Sequence, residues 1–111
     1  MLKGSVVALV TPFNKDGSVN YYKLKELLQF HIDNKTDGIL LFGTTGEGST
    51  LTLKEKKKIA KISIKYVKGK VPIILNVGTN NTNETIKNVK MFSKYKPDYF
   101  LLITPYYNKG N

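Results

Sequence analysis

The 111-residue sequence has no cysteine and only one histidine, His31. Without cysteine, the chain cannot form a disulfide framework, a thiolate nucleophile or a cysteine metal site. One histidine is also too few for a metal centre built from several histidines of this chain. We therefore predict no metal site.

Long hydrophobic runs are absent too. No segment approaches the run of about 18 apolar residues that a membrane span needs. The apolar stretch over residues 6–10 is shorter than the apolar region of a secretory signal peptide. We therefore expect a cytoplasmic protein with no membrane partner, and the length corresponds to one domain or less.

Arginine is missing as well, because all 18 basic residues are lysine, and the formal net charge is +10. A basic chain raises nucleic acid as a partner, but arginine supplies the bidentate contacts to guanine. The densest lysine run, over residues 54–68, falls within one predicted helix, where a solvated face is the simpler interpretation. We expect no nucleic-acid partner, although the positive field favours anionic substrates.

Short apolar runs alternate with amphipathic segments along the chain. The runs over residues 5–10, 39–42, 72–77 and 98–103 predict strands, and their lack of polar alternation is typical of parallel strands covered on both faces. Helices are predicted after Asn20, after Thr52 with Glu55 in capping-box spacing, and after Asn81. The third helix is expected to bury Ile86, Val89 and Phe92.

The predicted order is therefore βαβαβαβ, an α/β fold. An open doubly wound sheet and the beginning of a (β/α)₈ barrel both fit this order, and both place functional loops at the carboxyl ends of the strands. Polar and glycine-rich residues gather at those ends: Thr11-Pro12, Gly43-Thr44-Thr45-Gly46-Glu47, Gly78-Thr79-Asn80 and Thr104-Pro105-Tyr106-Tyr107-Asn108.

The motif at residues 43–47 is the most informative of these. Its two glycines allow a sharp turn, and Thr44 and Thr45 offer two hydroxyls and two backbone amides in one short loop. This combination suits a carboxylate or an enolate-like oxygen, although the threonines can also merely satisfy loop amides. For Glu47 a loop-ordering role is favoured over general-base catalysis, and for His31 a hydrogen-bonded structural role.

Four motifs together, over residues 4–13, 43–47, 72–79 and 104–108, resemble the dihydrodipicolinate synthase family of pyruvate-dependent class I aldolases. The resemblance spans essentially the whole chain. It implies that residues 1–111 are the N-terminal portion, the first half, of a single (β/α)₈ barrel domain that is truncated here. Paired threonines favour this family over the sialic-acid lyase branch, which usually has Ser-Thr. The alternatives are an N-acetylneuraminate lyase or keto-deoxy-sugar aldolase, and a non-catalytic anion-binding fragment.

The resemblance also implies an activity. Pyruvate would form a Schiff base with a barrel lysine and condense with aspartate 4-semialdehyde, in the diaminopimelate route to lysine, without a cofactor. Thr45 would hold the pyruvate carboxylate, and Thr44 and Tyr107 would belong to a proton relay. Tyr107 would reach into the site of a neighbouring subunit, because such enzymes are homotetramers built from tight dimers.

An effector pocket is implied at the tight-dimer interface. Ser49, Asn80, Glu84 and Tyr106 are its candidate residues for effector or interface contacts. Lysine-inhibited members often carry histidines where this sequence has Leu53 and Lys56. We therefore expect weak or absent inhibition by lysine.

Length is the main departure from the family, because a complete barrel needs about 250 residues. In the family the Schiff-base lysine, a second relay tyrosine and a gating arginine lie further along, and no lysine here falls in a predicted strand. We expect the isolated chain to be inactive. We also expect it to fold poorly, because half a barrel leaves both sheet edges unpaired.

Overall fold

The computed structural model describes residues 4–43 and 50–103. It contains strands β1 (Val6–Ala8), β2 (Gly38–Leu41), β3 (Ile73–Asn76) and β4 (Tyr99–Leu101). Helices α1 (Tyr21–Asp33), α2 (Leu53–Val67) and α3 (Thr82–Phe92) alternate with these strands, and a 3₁₀ turn (Ser93–Tyr95) follows α3. The order βαβαβαβ is the predicted one.

All four strands are parallel, and their order in the sheet is β1-β2-β3-β4. Sequential neighbours joined by helical crossovers are the expected arrangement of repeated βαβ units. The strands are shorter than the predicted runs, most clearly β1 and β4, which have one hydrogen-bonded neighbour each within the described sheet. Because the strands are parallel, all four carboxyl ends lie along one edge of the sheet.

The helix starts follow from side-chain caps, as predicted. Asn20 accepts a hydrogen bond from the amide of Lys23, and Asn81 accepts one from the amide of Glu84. Thr52 and Glu55 form a reciprocal capping box, with distances of 3.1 Å and 2.8 Å. Each cap satisfies amides that the first turn of a helix leaves unpaired.

The core lies between the two central strands and the helices. α1 and α2 pack against each other, and the largest side chains with almost no exposure come from these helices, from β2 and β3, and from the segment that leads into β3. They are Leu24, Leu28, Ile39, Leu41, Ile59, Val67, Val71, Ile73 and Leu75. This apolar layer holds β2 and β3 in place, and with them the ends of the two strands.

One burial prediction is wrong. Phe92 is buried and Val89 is packed against the core, but Ile86 is 48% exposed. Ile86 follows the helical spacing that places it near the apolar face, yet no described element covers that part of α3. His31, by contrast, has the predicted structural role, because its Nδ1 lies 3.1 Å from the hydroxyl of Thr36. Among the described helices, none is long and apolar enough to cross a membrane.

Candidate functional site

The carboxyl edge of the sheet gathers the segments that follow the strands. Backbone pairing continues past the strands proper, with hydrogen bonds from the amide of Leu9 to the carbonyl of Leu40 and from the amide of Val77 to the carbonyl of Leu101. The residues that follow β2, β3 and β4 therefore leave the sheet side by side. In a parallel α/β fold this edge is where ligands bind.

Asn76, the last residue of β3, links three of these segments through its side-chain amide. Its Nδ2 donates to the carbonyl of Phe42 at 3.4 Å, after β2. Its Oδ1 accepts from the amide of Gly78 at 3.2 Å and from the amide of Ile103, after β4, at 3.3 Å. The ends of β2 and β4, which are not neighbours in the sheet, thus meet on one side chain.

Phe42 adopts a left-handed backbone conformation, with φ of 64°. This conformation costs a residue with a Cβ roughly 1–2 kcal/mol. The side chain is almost fully buried and its ring lies 6.3 Å from that of Phe92, and burial of a phenylalanine stabilises a fold by about 1.5–3 kcal/mol. Burial therefore offsets the strain and holds the chain in a turned conformation at the start of the motif over residues 43–47.

Gly78 lies so close to the end of β4 that no side chain fits. A Cβ at this position would be 2.5 Å from the carbonyl oxygen of Ile103 and 2.6 Å from the carbonyl carbon of Leu102. Both contacts are with backbone, which cannot move aside without shifting the strand. Glycine is thus required here by the close approach of the two strand ends.

Two threonines order the loop between β3 and α3. The hydroxyl of Thr85 accepts from the amide of Thr79 at 3.0 Å, and the Thr79 hydroxyl donates to the carbonyl of Asn81 at 2.7 Å. The loop carries the candidate effector residue Asn80, which is exposed. The other described candidate, Glu84, lies in the first turn of α3 with its carboxylate 3.8 Å from the ammonium group of Lys87.

Two charged side chains near this edge have defined contacts, Lys56 on α2 and Asp16 in the loop after β1. Lys56, in the first turn of α2, has its ammonium group 6.0 Å from the centre of the Phe42 ring. Asp16 accepts hydrogen bonds from the hydroxyl and the amide of Ser18 at 2.6 Å and 3.0 Å. These bonds, the side-chain bond first, lower the pKa of Asp16 below its ordinary value of 3.8.

The remaining predicted site residues lie outside the described residues. These are Thr44, Thr45, Ser49, Tyr106 and Tyr107, so their roles stay predictions. What the structure brings together are the segments that directly precede them, at residues 42–43 and 102–103. The four described strands contain no lysine, and the described residues contain no group of acidic and histidine side chains that can hold a metal ion.

The sequence alone assigns no chemical role to Asn76. The signal was present, because Asn76 is the polar residue at the carboxyl end of an otherwise apolar run over residues 72–77. Its partners, however, are 34 and 27 residues away in the chain, so the contacts themselves follow only from the register of the sheet.

Comparison with known proteins agrees with this architecture. A 4-hydroxy-tetrahydrodipicolinate synthase from Clostridium perfringens is 55% identical over 109 residues, which are 98% of this chain and 37% of that protein. A dihydrodipicolinate synthase from Acinetobacter baumannii, solved in complex with pyruvate and described as chloride-inhibited, is 41% identical with a TM-score of 0.90. The alignment covers 100% of this chain and 38% of the Acinetobacter chain.

An N-acetylneuraminate lyase from Fusobacterium nucleatum is also similar, with 36% identity and a TM-score of 0.84 over 99% of this chain and 38% of that one. This chain thus spans well under half the length of the relatives it matches, and its α/β fold corresponds to the N-terminal part of their (β/α)₈ barrels. The sequence profile of the dihydrodipicolinate synthetase family matches residues 1–111, and the chain therefore belongs to this family.

Proposed function

We propose that residues 1–111 are the N-terminal portion of a single-domain (β/α)₈ 4-hydroxy-tetrahydrodipicolinate synthase. The complete enzyme condenses pyruvate with aspartate 4-semialdehyde through a Schiff base, in diaminopimelate and lysine biosynthesis. The 55% identity to the Clostridium synthase over nearly the whole chain supports this assignment. No cofactor takes part, because a lysine located beyond residue 111 carries the Schiff base.

The proposed roles follow the chemistry of the side chains. Schiff-base formation and enamine protonation require protons to move within a pocket with little water. A tyrosine hydroxyl can donate and accept, and a threonine can pass a proton between two such groups. Tyr107 and Thr44 form this relay, and Thr45 binds the pyruvate carboxylate together with backbone amides of its loop.

The observation that carries the proposal is the link through Asn76 between the ends of β2 and β4. Thr44 and Thr45 follow Phe42 by two and three residues in the sequence, and Tyr107 follows Ile103 by four. Their chain segments therefore start from one small region at the carboxyl edge. Two segments that left opposite edges of the sheet could share a keto-acid site only if another subunit brought them together.

A second candidate is N-acetylneuraminate lyase, which the similarity to the Fusobacterium structure supports. Both enzymes act on pyruvate through a Schiff base, so the two candidates differ in the second substrate. The Thr44-Thr45 pair favours the synthase, since the lyase branch usually has Ser-Thr at these positions.

A chimera separates the candidates. Residues 1–111 replace the matching N-terminal region of the Clostridium perfringens relative, and the purified protein, here called the Clostridium chimera, is assayed with both substrate sets. We expect condensation of pyruvate with aspartate 4-semialdehyde and no cleavage of N-acetylneuraminate. A folded chimera that lacks the condensation activity would contradict the proposal.

The isolated chain provides a matched negative control. Borohydride traps a Schiff base with labelled pyruvate, so the label should appear on the Clostridium chimera and not on residues 1–111 alone. Labelling of the isolated chain would show that one of its own lysines is the nucleophile, and would contradict the division of roles proposed above.

We further propose a cytoplasmic homotetramer made of tight dimers, with Ser49, Asn80, Glu84 and Tyr106 at the dimer interface or its effector pocket. The exposed positions of Asn80 and Glu84 are compatible with contacts to another subunit. Light scattering of the Clostridium chimera should give four times the subunit mass. A monomer with full activity would refute the assembly without affecting the assigned reaction.

A further inference from the structure

We propose that Asn76 is a positioning residue of this synthase, which sets the carboxyl ends of β2 and β4 in register across the intervening strand. The inference rests on the proposed function for what those strand ends carry. Its geometric part rests on hydrogen bonds between described residues alone.

The side-chain amide suits this position because it offers both a donor and an acceptor. Nδ2 faces the carbonyl of Phe42, whereas Oδ1 faces two amides, those of Gly78 and Ile103. A carboxylate could accept both amides but would face the Phe42 carbonyl without a proton to donate. An apolar side chain of the same size would make none of the three bonds.

The Asn76 side chain connects two strands that backbone pairing does not connect. β2 and β4 both pair with β3 and not with each other, and the last registered pairs are Leu41 with Leu75 and Asn76 with Leu101. Beyond these pairs, no backbone hydrogen bond between described residues joins the end of β2 to the end of β4. The Asn76 side chain supplies that connection from the strand between them.

Two further features restrict the same region. The left-handed φ of Phe42 turns the chain at its carbonyl, the group that Asn76 holds. Gly78 permits the backbone at Leu102 and Ile103 to approach closely, which places the Ile103 amide within reach of Asn76. The strained residue and the obligatory glycine thus flank the proposed positioning residue on its two sides.

The functional consequence concerns pyruvate. The residue pair Thr44-Thr45 begins two positions after Phe42, and the relay tyrosine lies four positions after Ile103. Catalysis needs both segments at fixed positions, because Thr44-Thr45 belong to the site of their own subunit and Tyr107 reaches into the site of the neighbouring one. Loss of the link should therefore weaken pyruvate binding and slow the reaction, while the core and the subunit fold remain intact.

The test compares Asn76→Asp, Asn76→Leu and the matched control Asn88→Asp in the Clostridium chimera. Asn88 is also half-buried, and its Nδ2 donates to the carbonyl of Val77 at 3.2 Å. It therefore contacts the end of β3 without reaching β2 or β4. Two readouts are used: hydrogen exchange by mass spectrometry over residues 38–43 and 99–103, and the kcat and KM for pyruvate.

The expected pattern is graded. Asn76→Asp keeps the acceptor for Ile103 and loses the donor to Phe42, so exchange should rise over residues 38–43 only. Asn76→Leu should raise exchange in both segments. KM for pyruvate should rise about tenfold in both variants, below the roughly hundredfold loss that a 1 Å misplacement of reacting groups can cause. Asn88→Asp should leave both readouts close to those of the parent.

Unchanged exchange and unchanged pyruvate kinetics in both Asn76 variants would overturn the inference, as would equal effects from Asn88→Asp. If Asn76→Leu fails to fold, Asn76→Asp still tests the inference, because hydrogen exchange should rise over residues 38–43 and not over residues 99–103. If the parent chimera has no condensation activity, the proposed function fails, but the exchange data still decide whether Asn76 links the strand ends.

Discussion

The carboxylate of Asp98 accepts a hydrogen bond from the amide of Ile73 at 2.8 Å, and the amide of Asp98 donates to the Ile73 carbonyl at 2.9 Å. Asp37 and Ser5 repeat this reciprocal pair, at 3.2 Å and 3.1 Å. Each aspartate precedes a strand and closes the amino-terminal end of the neighbouring strand. At the amino edge of the sheet two aspartate carboxylates thus join neighbouring strands, whereas at the carboxyl edge the Asn76 amide joins the segments after β2 and β4.

Asp98→Ala should lower the free energy of unfolding of the Clostridium chimera by about 1–2 kcal/mol, because Ile73 is buried and its amide would lose its partner. Asp37→Ala should cost less, since Ser5 is exposed and water can replace the carboxylate. Urea unfolding at one protein concentration measures both values. Equal losses of unfolding free energy in the two variants would show that the loss does not depend on whether the unpaired amide is buried.

Ser63→Ala should stabilise the fold. Ser63 is fully buried in α2, and its hydroxyl has no hydrogen-bond partner among the described residues. A buried polar group without a partner costs about 1–3 kcal/mol of stability. Alanine removes this group, and it also has a higher helix propensity than serine. We expect a gain of roughly 1 kcal/mol in urea unfolding, because the lost packing of one oxygen offsets part of the benefit.

Ser93→Ala is the matched control for that prediction. The Ser93 hydroxyl donates to the carbonyl of Val89 at 2.6 Å on an exposed surface. Its removal should leave stability unchanged or slightly reduced. A Ser63 variant that is less stable than the parent would mean that the hydroxyl makes a contact that the described residues do not account for.

Features that depend on residues close together in the chain were predictable from the sequence. The capping residues Asn20, Thr52 and Asn81 act within one helical turn, and all three were predicted. The parallel direction of the strands was also predictable, because apolar runs without polar alternation indicate a parallel sheet. His31 was predictable as a structural residue from its position on an apolar helix face far from the strand ends.

Long-range contacts were not predictable in the same way. Ile86 follows the helical spacing of a buried residue, but its burial depends on a covering element that helical periodicity does not reveal. Asn76 depends on two segments that only the sheet register brings together. The predicted runs for β1 and β4 are longer than the observed strands for a similar reason. The end of a strand is set by pairing with its neighbour and not by its own apolar content.

Asp16 provides a test of electrostatics in the loop after β1. Hydrogen bonds from Ser18 lower its pKa below 3.8, so the folded state favours the charged carboxylate. The resulting stabilisation is fully present above pH 3.8 and is lost as the pH falls through the lower pKa of the folded state. NMR titration should locate that pKa below 3.8, and Ser18→Ala, which removes the side-chain hydrogen bond that is the largest cause of the shift, should raise it. An unchanged pKa in Ser18→Ala would contradict the assigned cause.

Thr44→Val in the Clostridium chimera removes the proposed relay hydroxyl and keeps the shape of the side chain. We expect kcat to fall by about 10²-fold or more, the usual contribution of positioned proton transfer. Thr44→Ser retains the hydroxyl and should restore most of the activity. Thr45→Val should instead raise KM for pyruvate, because the proposed role of Thr45 is to bind the carboxylate. Equal kinetic effects at the two positions would argue against this division of roles.

Tyr107→Phe and Tyr106→Phe are the sharpest pair for the proposed relay, because the two tyrosines are adjacent and each variant loses one hydroxyl. Tyr107→Phe should lower kcat by about 10²-fold, since the relay loses a group that both donates and accepts. Tyr106→Phe should leave kcat within a few-fold of the parent, because its proposed contacts lie at the interface or effector pocket. Steady-state kinetics at saturating pyruvate separates the two. A larger loss in Tyr106→Phe than in Tyr107→Phe would assign the relay to Tyr106 and contradict the proposed roles of the two tyrosines.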